Sequence, residues 1–230
     1  MKKVGVLLAS LLCVSLCSCL KTSSDSNITQ ASVVGTWTLS YKWQDRTPGV
    51  LTIINFSDQT CLIPSGQNGG PTLIVTGLTS VNSNQFIWTF YNGSVTETYS
   101  GASTSSSSLK GTMTNTSGNL GTWTANESSS FITQASVVGT WTLSYKWQDR
   151  TPGILTVNNS ADQTCKVPGG QSGGPSTTVS GTIVVNGNQF KWVWPADGSS
   201  WTGMATSSTI IWGKMVNNSG NSGFWEATKN

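Results

Sequence analysis

The segment VVGTWTLSYKWQDRTPG occurs twice in this chain, at residues 33–49 and again at 137–153. Identity extends upstream, so that Ile28–Gly49 repeats as Ile132–Gly153 at an offset of 104. The offset holds through QFIWTF (Gln85–Phe90), which matches QFKWVW (Gln189–Trp194). Two residues are then lost, and GTMTNTSGNLGTW (Gly111–Trp123) matches GKMVNNSGNSGFW (Gly213–Trp225) at an offset of 102. Each unit therefore holds roughly 100 residues, enough for a hydrophobic core of its own. Two copies make a tandem pair rather than a solenoid, which needs at least three. The expected organisation is an export signal at 1–18, a flexible tether at 19–32, a first domain at 33–125, a linker at 126–136 and a second domain at 137–228.

The copies also act as a natural substitution experiment. Side chains alternate across a strand, so changes confined to one parity mark the outer face. Phe86, Trp88 and Phe90 remain aromatic as Phe190, Trp192 and Trp194, while Ile87 becomes Lys191 and Thr89 becomes Val193. The aromatic parity must face inward. Cys61 and Ile63 persist as Cys165 and Val167 around a Leu62-to-Lys166 change, so they too point inward. In the opening ribbon Trp37, Leu39, Tyr41 and Trp43 share one face. This alternation and the turn residues between runs predict strands near 36–44, 50–56, 60–63, 72–81, 85–91, 95–103, 108–114 and 120–125. The expected fold is all-β: two tandem, small, antiparallel up-and-down β-barrels of about eight strands each, whose closure removes exposed edges.

Charged residues make up only 9% of the chain, against about 25% in an average globular protein. The 11 tryptophans argue for order all the same, because disordered chains are poor in aromatics. Lys2 and Lys3 supply two of the +3 net charges. No basic run follows them, which excludes the electrostatic footprint of a nucleic-acid partner.

The amino terminus reads MKKVGVLLASLLCVSLCSC. A basic pair precedes an apolar run from Val4 to Leu16, too short to span a bilayer. Leu16-Cys17-Ser18-Cys19 then resembles a bacterial lipobox, with an aliphatic residue at −3, a small one at −1 and the acceptor cysteine. The resemblance implies a lipoprotein of the cell envelope, anchored in the outer membrane through a lipidated Cys19.

Gly35-Thr36-Trp37 at the start of the first strand, with Gly121-Thr122-Trp123 near the end of the unit, resembles the signature of lipocalins and the wider calycin group. In that family the first tryptophan plugs the closed end of the barrel, which would assign the plug to Trp37 and Trp141. Lipocalins also place an arginine on a late strand against that tryptophan. Here the arginines are Arg46 and Arg150, just after the first strand of each unit.

The chain has no histidine, which removes histidine-based triads and most zinc sites. It carries no phosphate-binding loop or dinucleotide fingerprint. Asp45 and Asp58 recur as Asp149 and Asp162 in short turns, where aspartate caps backbone amides. No catalytic residue, metal or cofactor is therefore assigned, and the chain is not expected to be an enzyme. Cys61 and Cys165 read either as buried thiols or as an inter-unit disulfide.

The positive signal is aromatic. Candidate ligand-binding residues in the first unit are Tyr41, Trp43, Phe86, Trp88 and Phe90. Those in the second are Tyr145, Trp147, Phe190, Trp192 and Trp194. Trp43 and Trp147 lie at the open end of their strands, where contact with a ligand is easiest. Either these rings line a cavity, or they fill the barrel, since eight strands leave just enough room for side chains. The loop PSGQNGGP (Pro64–Pro71) recurs as PGGQSGGP (Pro168–Pro175), keeping its Pro, Gly and Gln, which marks a shaped loop. The expected function is non-catalytic binding of a small apolar ligand or a surface glycan. The alternative is a structural or adhesive surface protein with packed barrels.

Overall fold

The structure is a computed structural model that describes residues 28–129, 132–148 and 150–230. The export signal and Cys19 lie outside the described residues, as does Asp149. The described residues form two closed barrels. The first comprises β1 (Gly35–Trp43), β2 (Gly49–Asn55), β3 (Thr60–Ile63), β4 (Val75–Asn82), β5 (Gln85–Asn92), β6 (Val95–Ser105), β7 (Ser108–Asn115) and β8 (Leu120–Glu127). The second comprises β9 (Gly139–Trp147), β10 (Gly153–Asn159), β11 (Thr164–Val167), β12 (Val179–Asn186), β13 (Gln189–Trp194), β14 (Ser199–Ala205), β15 (Ile210–Val216) and β16 (Ser222–Lys229). Each strand pairs antiparallel with its sequence neighbours, and β1 closes on β8 as β9 closes on β16. This is the up-and-down order expected from the alternation.

Differences from the expected boundaries are local. The fourth strand begins at Val75 rather than at residue 72. A 3₁₀ turn at Ala31–Val33 precedes β1, and Ile28 is buried in the first core. Ile132 is buried in the second. Packing thus reaches back into the segments read as tether and linker. The β4–β5 hairpin needs a left-handed backbone: Ser83 sits at φ 55°, where the second copy has Gly187 at φ 58°. Glycine enters that region without steric cost.

The cores are filled by rings. Trp88 lies 4.4 Å from Phe86 and 5.3 Å from Trp123, centroid to centroid, and Trp192 lies 4.6 Å from Phe190 and 5.1 Å from Trp225. Edge-to-face and tilted contacts of this kind are the favoured aromatic geometries. Trp37 is buried at the closed end, donating its indole N–H to the Val33 carbonyl at 3.0 Å; Trp141 does the same to Val137 at 2.8 Å. They occupy the plug position the lipocalin resemblance implied. Trp123 and Trp225 lie over bare backbone, since a Cβ on Gly213 would stand 2.4 Å from the Trp225 ring and one on Gly101 2.6 Å from Trp123.

Buried amides bind the closed end together. Asn55 accepts from Trp88 Nε1 (2.7 Å) and Thr79 Oγ1 (3.0 Å), and donates to the Val33 carbonyl (2.9 Å). Asn159 repeats the bonds to Trp192 (2.9 Å) and Val137 (3.1 Å). The third is lost because Ile183 stands in place of Thr79.

The barrels share an apolar seam. Ile54, Phe56 and Leu62 on the outside of the first barrel pack with Met204 and Trp212 on the outside of the second. Polar contacts flank it. Thr36 Oγ1 donates to the Ala205 carbonyl at 3.0 Å, and Lys214 Nζ bonds Thr60 Oγ1 at 2.9 Å, pairs with Asp58 and lies 4.8 Å from the Phe56 ring centroid. The copies have diverged oppositely here. Ile54, Phe56 and Leu62 correspond to Asn158, Ser160 and Lys166; Met204, Trp212 and Phe224 correspond to Ala102, Lys110 and Thr122. At these positions each barrel is apolar on the wall that meets the other and polar at the equivalent place on its own copy.

Candidate functional site

Each barrel opens, opposite its tryptophan plug, into a mouth. The first mouth holds a cavity of about 310 Å³ lined by Tyr41, Trp43, Arg46, Glu97, Tyr99 and the loop residues Gly69–Pro71, among others. The second holds one of about 290 Å³ lined by Tyr145, Trp147, Arg150, Trp194, Ser199, Trp201 and Gly173–Pro175. Volumes near 300 Å³ are at the small end of ligand sites.

The repeated ribbon builds the back wall. Tyr41 crosses toward the loop and donates its hydroxyl to the Gly69 carbonyl at 3.1 Å; Tyr145 reaches Gly173 at 2.7 Å. A Cβ on Gly49 or Gly153 would stand 2.5 Å from the tyrosine ring, so glycine there makes room for it. The loop is held by its glutamine. Gln67 Oε1 accepts the Thr52 N–H, and Gln67 Nε2 donates to the carbonyls of Thr52 (3.2 Å) and Pro64 (3.0 Å). The side-chain amide thus completes the ladder of β2 as a neighbouring strand would. Gln171 does the same on Thr156 and Pro168. Gly66, Gly69, Gly170 and Gly173 supply the positive φ values, 74–76°, on which the loop shape depends.

The opposite wall differs between the copies. In the first, Tyr99 donates its hydroxyl to Glu97 Oε2 at 2.9 Å. In the second, Trp201 donates its indole N–H to Ser199 Oγ at 3.1 Å. Trp43 meets Tyr99 edge-on at 6.4 Å, and Trp147 meets Trp201 at 6.0 Å. Burial pushes the Tyr99 hydroxyl well above its ordinary value, and the Glu97 charge adds to this. Burial also raises Tyr41, with Glu97 reinforcing the shift and Arg46 opposing it. One hydroxyl therefore feels both the carboxylate and the guanidinium of the mouth.

Of the candidates read from sequence, Tyr41, Trp43, Tyr145, Trp147 and Trp194 line the mouths. Phe86, Trp88, Phe90, Phe190 and Trp192 do not. They are fully buried among each other and the plug, because the lower half of each barrel is too narrow to hold both rings and a ligand. The two alternatives that the sequence leaves open, rings that line a cavity and rings that fill the barrel, thus divide between the upper and lower halves of each barrel. Glu97, Tyr99, Ser199 and Trp201 were not singled out. The correspondence of Tyr99 with Trp201 at the offset of 102 is in the sequence, but that both face inward is seen only from their pairing with Met113 and Met215 across the ladder.

Cys61 and Cys165 are free and buried, each in its own core. Their places in separate cores set aside the disulfide, and burial pushes both thiols up to about 12. Asp58 and Asp162 cap their turns, each accepting from the following threonine's N–H and hydroxyl. For Asp58 burial opposes ionisation, but bonds from Lys214 and Thr60 outweigh it and hold the carboxyl below its usual range.

No family model matches the chain, and no curated protein matches it. Solved structures do. A DUF3598-family protein of unknown function from Nostoc punctiforme is 11% identical, with a TM-score of 0.28 over 87% of this chain and 96% of that one. A transferrin-binding protein B mutant from Haemophilus parasuis is 8% identical, with a TM-score of 0.27 over 84% of this chain and 44% of that one. The Myxococcus xanthus hemagglutinin, in complex with a mannopentaose, is 10% identical, with a TM-score of 0.25 over 85% and 100%.

Proposed function

We propose that this is a non-catalytic binding protein of the bacterial cell envelope that holds ligands in the mouths of its two barrels. The observation that carries this reading is the pair of cavities at equivalent positions. Each is walled by the repeated Tyr and Trp of the opening ribbon and roofed by a loop that a glutamine and a tyrosine hold in place. A preformed roof lowers the ordering cost of binding, and burial of ring faces supplies roughly 25 cal/mol per Å² of apolar area. The solid lower barrels leave the mouths as the place for a guest. The envelope assignment rests on Lys2, Lys3, the apolar run and Cys19.

Native mass spectrometry of the full chain extracted from its own membrane tests both parts. The expected result is an acyl mass lost in Cys19→Ser, and a small molecule lost in Trp43→Ala combined with Trp147→Ala. Extraction without any bound molecule, together with unchanged tryptophan emission across a glycan and lipid panel, would overturn the binding reading in favour of an adhesive one.

A further inference from the structure

The two mouths differ in a coordinated way, and this inference rests on their being binding sites. At one place on the inward wall the first copy has Glu97 and Tyr99, a donor–acceptor pair at 2.9 Å. The second has Ser199 and Trp201, again a donor–acceptor pair, at 3.1 Å. Both partners changed together, so each wall remains internally satisfied. What changed is the face shown to a guest: a carboxylate and a phenol in the first mouth, a hydroxyl and an indole in the second.

Other changes run the same way. Asn92 lines the first cavity, and the hairpin that carries it is two residues shorter in the second barrel, whose lining has Asp197 from that hairpin instead. Phe90, buried beneath the first cavity, becomes Trp194, which reaches into the second. The first mouth thus combines Glu97, Arg46 and Asn92 with the Trp43 and Tyr99 rings. The second gathers the three indoles of Trp147, Trp194 and Trp201 around Arg150, and its carboxylate, Asp197, is engaged by the Ser199 N–H at 2.9 Å.

We infer that the two mouths take different ligand classes: a hydroxyl-rich ring, such as a sugar unit, in the first, and a flat aromatic ring bearing an anionic group in the second. A carboxylate, an amide and a guanidinium can together accept from and donate to neighbouring hydroxyls, while the flanking rings cover the apolar face of a pyranose. In the second mouth three indoles offer stacking surface with few hydrogen-bonding groups, and Arg150 matches one negative charge.

The test exchanges the pairs within the full chain. Glu97→Ser with Tyr99→Trp gives the first barrel the second's wall, and Ser199→Glu with Trp201→Tyr does the reverse. Each pair already exists in one barrel of this protein, and thermal melts check that the variants fold. The probes are an array of soluble oligosaccharides and anilinonaphthalene sulfonate. The first exchange is expected to weaken oligosaccharide binding by about tenfold or more, the loss of a charge-assisted bond, and to add a second dye site. The second exchange is expected to abolish the dye signal and leave the original oligosaccharide binding intact. If wild type binds both probes and neither exchange moves them, the division of labour is wrong while the mouths remain binding sites. If folded wild type binds neither probe, the mouth reading itself falls, and this inference with it.

Discussion

Trp88 donates its indole N–H to Asn55 Oδ1 at 2.7 Å in the dry interior of the first barrel. That amide also joins Thr79 and the Val33 carbonyl, so one side chain ties β2 to β4, to β5 and to the segment sealing the closed end. Replacing it with leucine would strand an indole N–H, a hydroxyl and a carbonyl, each buried group costing about 1–3 kcal/mol. Asn55→Leu is expected to cost about 3–5 kcal/mol in urea unfolding. Asn159→Leu strands one group fewer and should cost less. Equal losses would mean that Thr79 contributes nothing to the node.

The seam predicts coupled unfolding. Phe56→Ser and Trp212→Lys install the residues that the other copy carries at the same positions. Together they remove two rings from the contact and place a second ammonium beside Lys214. Wild type should melt as one unit. The double variant should melt in two steps, and its radius of gyration by X-ray scattering should rise. A single unchanged transition would show that the seam carries no coupling energy.

Alkaline pH should unfold the protein early. Cys61 and Cys165 have folded values pushed up to about 12 from an ordinary value near 9, and Tyr99 is also raised. A raised folded value means the native state holds its protons more tightly than the unfolded chain. Stability from these groups is therefore complete below about pH 9 and is lost as pH climbs toward 12. Urea midpoints at pH 7, 9 and 10.5 should fall only over the last step. A thiol reagent at pH 8 should react only after denaturant is added.

Gln67 should matter to the roof and little to the fold. Gln67→Ala deletes three hydrogen bonds that all lie within the loop and its neighbouring strand. Hydrogen exchange of residues 64–71 should accelerate about tenfold or more, a loss of roughly 1.4 kcal/mol of local protection, while the global midpoint moves little. A large global loss would make the loop part of the core.

The repeat made the fold legible. Because Ile87 became Lys191 and Leu62 became Lys166, two copies revealed strand parity that one would have hidden, and parity with turn residues is sufficient for a barrel. The plug at Trp37 came instead from the lipocalin resemblance of Gly35-Thr36-Trp37. The mouth was half legible: Trp43 and Trp147 stood out by position, but Glu97 and Tyr99 sit in a run of polar residues where no alternation of hydrophobicity marks them. The amide node was hidden because buried asparagine looks like any turn residue until its partners are known. The seam was hidden by the argument that revealed the barrels. Leu62 and Ile87 were both judged outward-facing from a change to lysine, and nothing in sequence says that one of two outward apolar residues is covered by a neighbour.

That neighbour also shows what joining two such barrels requires. Growth by further copies would require a wall resembling that of Ile54 and Phe56 on the free side of the second barrel, or one resembling that of Trp212 on the free side of the first. Those sides instead carry Asn158, Ser160 and Lys166, and Ala102, Lys110 and Thr122. An attachment that always joins unlike faces would ordinarily propagate into filaments. Here the equivalent positions are polar in each barrel, so the contact that joins the two is offered once and not repeated on the free walls.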